Sequence, residues 1–162
     1  MIRSFLIGVV SGMRAMTPLA AVSDAAHRGT LPDDNGAPPL LGHPLVAAGT
    51  KLLAAGEMFA DKLPSSPDRI IAPGIAGRVV TGAIAGAALA PRSQRGLAAA
   101  LGAAGAVGAA YLTFDARIRS MQRFGQVSTG VVEDAIMLAA TLWIVGGASS
   151  ASGGAAPTAA SA

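Results

Sequence analysis

Cysteine is absent from the 162-residue chain, which removes disulfides, thiolate nucleophiles and cysteine-type zinc sites together. Aromatic residues make up 4% of the chain and the formal charge is +3. Base stacking and phosphate neutralisation both need more than that, so nucleic acid is excluded as a partner. Charge of either sign is scarce, at 13% of residues with 52% hydrophobic, where ordinary soluble domains carry about 25% charged residues. That is too little charge to cover a soluble surface. Only two histidines are present, His27 and His43, both near loop or helix-end positions, and they do not make up a zinc ligand set. Ser11, Ser128 and Thr129 have no adjacent histidine to act as base, so nucleophilic catalysis lacks its activating partner. No catalytic residue, metal or cofactor is expected.

Long uninterrupted apolar runs are also lacking outside the Ala/Gly-rich middle, so the length of each segment has to identify membrane-spanning helices. The expected fold is all-α, a polytopic helical membrane protein of four to five hydrophobic helices. The first segment covers about residues 2–26 and breaks near Thr17 and Pro18, because proline has no amide donor and disfavours helix at the preceding residue; its second half is open to being re-entrant. The same stretch also fits a secretory signal peptide, with Arg3 as the basic end and "AAVSDAA" near cleavage, but Arg14 cuts the apolar run short. "HRGTLPDDNGAPPLL" has the composition of an exposed loop. Further helices are expected from Pro44 to Leu63, from Pro73 to just before Pro91, from Gly96 to as far as Phe124, and from Ser128 to Gly147. Residues 1–147 thus form the helical domain. The remaining 148–162, rich in Ala, Ser and Gly, cannot bury enough apolar area to offset ordering and are expected to be a disordered tail.

With five spans, Arg3, Lys62, Arg69, Arg117, Arg119 and Arg123 share one side, against Arg28, Arg92 and Arg95 on the other. That excess places the amino terminus inside. "GAIAG", from Gly82 to Gly86, and the small-residue run from Gly102 to Gly108 let helix backbones approach closely. They serve packing within the chain, a homo-oligomer seam or a glycine-lined pathway.

Six charges lie within the apolar segments: Arg14, Lys51, Glu57, Arg78, Glu133 and Asp134. Each costs about 2.5–3.5 kcal/mol at the centre of a membrane helix unless paired or hydrated. Counting along the helices at ~1.5 Å per residue puts Glu57, Arg78 and Glu133 at one depth, with Arg14 and Lys51 deeper. Arg78 is therefore expected to pair with Glu57, Glu133 or Asp134. Arg14 should face the bundle and reach one of those acids or carbonyls freed by the helix break. Glu57 and Asp61 share a helix face that could hold a cation, while Asp61 and Lys62 equally suit a helix end at the membrane interface.

"SGMRAMTPL", "GEMFADKLPSSPDR" and "STGVVEDAIMLAATLWIV" occur in this order around the Gly/Ala-rich helices. Over about residues 4–147 they resemble a family of small bacterial membrane proteins catalogued as domain of unknown function 4126. The resemblance implies an integral membrane protein of several helices in a bacterial cytoplasmic membrane and carries over no activity or site residue. Two functions fit the buried charges. One is a transporter or channel-like binder of a small solute or ion, with the six charges as its pathway and Asp61 and Lys62 as secondary candidates. The other is a non-transporting scaffold or assembly subunit whose charges only fix helix packing. An enzyme is not expected, and the lipid bilayer is the expected partner.

Overall fold

The computed structural model describes residues 1–60, 72–124 and 126–152. Among these, every regular element is helical: α1 (Ile2–Met13), α2 (Met16–His27), α3 (Pro44–Ala60), α4 (Ala72–Ala88), α5 (Arg95–Phe124) and α6 (Gln126–Ser152), with short 3-10 turns at Pro39–Gly42 and Arg92–Gln94. Two stretches, Arg92–Phe114 and Val127–Ala148, are long and apolar enough to cross a membrane. Four to five such spans are not found among the described residues. With 12 residues each, α1 and α2 rise only ~18 Å, against a hydrocarbon core of about 30 Å. The described stretches of α3 and α4 cover 17 residues each, ~26 Å at the same rise.

Glycine sets the architecture. Gly8 and Gly12 of α1 sit against Gly102 and Ala106 of α5, so these helices run parallel. Gly82 and Gly86 of α4 meet Gly102 and Ala98, which makes α4 antiparallel to α5. A β-carbon on Gly86 would lie 2.6 Å from the Ala98 carbonyl, and one on Gly105 would lie 2.6 Å from that of Phe5. No side chain fits at such a distance, so α1, α4 and α5 form a backbone-to-backbone seam. The glycines proposed for a homo-oligomer seam are therefore engaged within the chain, except Gly108, which has nothing within 4 Å.

The chain turns between α1 and α2, and α2 goes back toward the end where α1 began. Thr17 and Asp24 share a groove with Leu138 and Leu142 of α6, while Arg14 contacts Asp134 and Arg3 contacts Gly147. Thus α2 follows α6 and opposes α1, and the first segment is a helical hairpin. It ends in a Schellman motif: Gly29 adopts φ +65, Thr30 donates to the Ala25 carbonyl at 2.9 Å and Gly29 to that of Ala26 at 3.2 Å.

The segment after it is not simply exposed. The Gly36 amide donates to the Ala90 carbonyl at 2.8 Å, Arg92 to that of Asp34 at 2.7 Å, and Leu31 and Leu41 are buried. These bonds hold it to the α4–α5 turn. Arg3, Arg92 and Arg95 therefore lie at the same end of the bundle, and the six-to-three count of basic residues does not stand. It assumed a first segment that crosses once, whereas a returning hairpin changes which loops share a side. The sixth helix continues to Ser152, past the boundary drawn at Gly147, and the rest of the tail lies outside the described residues.

The interior is built of small residues. Twelve of the 21 buried apolar residues among those described are alanine, while Leu45, Leu52, Phe59, Leu112 and Trp143 are exposed. Bulky side chains outward and small ones inward is the arrangement expected where the outer surface meets hydrocarbon.

Candidate functional site

The break between α1 and α2 has an identifiable cause. The ring of Pro18 in a continuous helix would clash with the carbonyl four residues earlier, at Arg14. Arg14 is the residue that leaves helical geometry, at φ −138 and ψ 106. Pro18 itself sits in the first turn of α2, where an amide would have no helical partner anyway. The break thus falls before Thr17/Pro18, because proline acts on the turn preceding it.

In an unbroken helix the Ala15 and Met16 amides would bond to the carbonyls of Ser11 and Gly12. Here both amides donate to one carboxylate, Glu57 of α3: Ala15 N to Oε1 and Met16 N to Oε2, each at 2.9 Å. A negative charge at a helix amino terminus also opposes its dipole favourably. On the other side of the break, the Gly12 carbonyl accepts from Arg78 Nε at 3.0 Å, and Arg78 Nη1 donates to Gly74 of its own helix at 2.9 Å. Glu57 and Arg78 therefore complete, from two neighbouring helices, hydrogen bonds that the chain gave up in turning.

Arg14 is fully buried. Its Nη2 pairs with Asp134 Oδ1 of α6, and its Nη1 donates to the main-chain carbonyl of Glu57 at 3.4 Å. The acid anticipated for it is present as Asp134, whereas the carbonyl it reaches belongs to α3 and is not one freed by the break. Arg14, Glu57, Arg78 and Asp134 thus meet at one level, so Arg14 is no deeper than the others.

Lys51 does not join them. It is half-exposed and pairs with Asp24 of α2, which also binds Arg28 Nε at 2.8 Å. The sequence reading overlooked Asp24 as a partner. Helical spacing separates the two cases: Ala47, Thr50 and Ala54 are the buried face of α3, and Glu57 continues that stripe whereas Lys51 lies about 100° away from Thr50. The same signal marks Arg78, on the face with Gly82 and Gly86, and Asp134, which precedes buried Met137 and Thr141 on α6.

Glu133 lines a groove of about 250 Å³ with Met13, Thr113 and Met137. A second groove, of about 320 Å³, runs past Thr17, Asp24 and Lys51. Neither is lined by Arg14, Glu57 or Arg78. Asp61 and Lys62, and any cation site formed with Glu57, lie outside the described residues. His27 Nδ1 contacts the Gly42 carbonyl at 3.0 Å and His43 Nδ1 accepts from the Leu45 amide at 3.3 Å. No group of three metal-ligating side chains is found among the described residues. Comparison with protein-family models, curated proteins and solved structures finds no match to this chain.

Proposed function

We propose that this chain is an integral membrane protein that acts as a non-transporting scaffold or assembly subunit, its buried charges serving to hold a broken first helix in register. The observation that carries this reading is the use made of the charges. Glu57 binds two freed amides, Arg78 a freed carbonyl, and Arg14 an acid and a carbonyl, in a buried or part-buried setting. Groups so engaged are anchors, and a hydrated pathway would require them to face open space.

Membrane location is supported by the two long apolar helices and by the exposed leucines of α3, which suggest that the shorter helices also lie in the bilayer. Membership of the family named above is part of the same proposal. Its resembling blocks are those that supply Arg14, Glu57 and Asp134.

A second reading has one observation in its favour. A half-helix amino terminus inside a membrane is a common binding element for anionic solutes in transporters, and Glu57 occupies that position at α2. An anion that displaced its carboxylate would make the break a solute site. Proton, potassium, chloride and phosphate flux into proteoliposomes, with wild type and Glu57→Gln, separates the two. The scaffold reading expects flux equal to that of empty liposomes for both. It also expects Glu57→Gln to be destabilised by about 1–3 kcal/mol, since the amide has one acceptor oxygen in place of two. Flux that depends on Glu57 would overturn it in favour of the transporter.

A further inference from the structure

At the end of the bundle opposite the charged cluster, a groove of about 560 Å³ opens between the start of α1 and the last turns of α6, lined by Arg3, Leu6, Leu142, Trp143 and Gly147 among others. Its walls are apolar apart from Arg3. The Arg3 guanidinium lies against Gly147, so closely that a β-carbon there would be 2.9 Å from Nη2 and 3.0 Å from Cζ and Nη1. Its Nη1 is buried and has no hydrogen-bond partner among the described residues. Arg3 also stands in the first turn of α1, where the helix dipole adds to its positive charge.

A buried cationic donor without an acceptor is a costly arrangement that an anion would relieve. The depth fits a phosphate at the membrane surface: the apolar span of α6 ends at Ala148, next to Gly147. Trp143, the sole tryptophan, is exposed one turn further in, where aromatic rings sit beneath headgroups.

We propose that this groove binds one anionic phospholipid, its phosphate on Arg3 and an acyl chain along Leu6, Leu142 and Trp143. The inference rests on the membrane reading given above. It commits to a lipid over free phosphate because the walls are hydrocarbon and the cation is single.

The test is lipid binding to the full chain purified in neutral detergent, followed by native mass spectrometry with phosphatidylglycerol and phosphatidylcholine of matched chains. Wild type should retain phosphatidylglycerol about five- to tenfold more tightly, the share expected of one basic residue at the surface. Arg3→Gln should abolish that preference, and Gly147→Ala, which displaces the guanidinium, should reduce it. Arg92→Gln, on an exposed turn, should leave it unchanged. Inorganic phosphate in excess should not displace the bound lipid. Equal retention of both lipids by wild type, a preference that survives Arg3→Gln in folded protein, or displacement by phosphate would each overturn the proposal. Failure of the membrane reading itself would look different, as a chain that stays monodisperse without detergent and does not sediment with membranes.

Discussion

At Gly82, Gly86, Gly102 and Gly105 a methyl group would be driven into the backbone of a neighbouring helix, whereas at Gly49, Gly56, Gly108 and Gly146 it would meet nothing within 4 Å. The first set lies on the seam between α1, α4 and α5. The second lies mostly on α3 and α6, whose bulky residues, Leu45, Leu52 and Trp143 among them, point outward. One residue type thus has opposite consequences in two parts of the same bundle. In the seam, shape excludes any side chain; outside it, glycine only weakens a helix. The charged cluster joins the regions, since Arg14 and Arg78 come from the seam helices and Glu57 and Asp134 from the outer ones.

The largest effect should come from cutting that connection. Arg14→Leu removes the fully buried cation bonded to Asp134 and should cost about 3–5 kcal/mol, as removal of one partner from a buried pair does. Arg14→Lys keeps the charge but loses the planar fork that reaches Asp134 and the Glu57 carbonyl together, and about 1–3 kcal/mol is expected. On the outer surface, Lys51→Leu removes only a half-exposed ion pair and should stay within about 1 kcal/mol. Unfolding in detergent, read by circular dichroism, gives all three. Equal stability of Arg14→Leu and Lys51→Leu would mean that the cluster does not hold the two regions together.

The helices were legible because prolines and glycines punctuate them: α3 begins at Pro44, as expected, and α5 begins within a residue of the position read from Gly96. The burial of Arg14 was legible from cost alone. The position of the break was not, because the rule used looks at the residue before a proline, whereas the clash falls on the carbonyl a full turn earlier. Depth counted along a helix ignored which way a residue points. It therefore grouped Lys51 with Arg14, although the stripe through Ala47, Thr50 and Ala54 leaves Lys51 off the buried face. The return of α2 depends on contacts between residues far apart in sequence, such as Gly36 with Ala90, which no local pattern records.

A second substitution tests the seam itself. Gly102→Val should cost about 1–3 kcal/mol or more, because extra methyl groups in a close-packed interface force backbones apart, and here the obstacle is the Gly82 backbone, with no flexible side chain to yield. Gly82→Ala should follow the same direction with a smaller cost, its β-carbon lying 2.8 Å from the Gly102 carbonyl oxygen. Thermal unfolding of the two variants against wild type checks the order. A neutral Gly102→Val would show that α4 and α5 can separate without loss, and the contrast between the two glycine sets would then carry no energy.

The smallest effect has the opposite sign. Gly108 lies on the same helix as Gly102, yet nothing stands within 4 Å of its missing side chain. Replacing a helical glycine with alanine restricts the unfolded chain and favours the helix, so Gly108→Ala should stabilise by about 0.5–1 kcal/mol. Gly49→Ala on α3 should do the same. The measurement also decides what remains of the homo-oligomer reading, because Gly108 is the glycine of the Gly102–Gly108 run left facing outward. If a second copy packed there, Gly108→Leu would lower the assembled mass seen by light scattering in detergent, and Gly108→Ala would destabilise. Unchanged mass together with a small gain in stability confines the seam to the interior of one chain, leaving the outward face of α5 without a second copy.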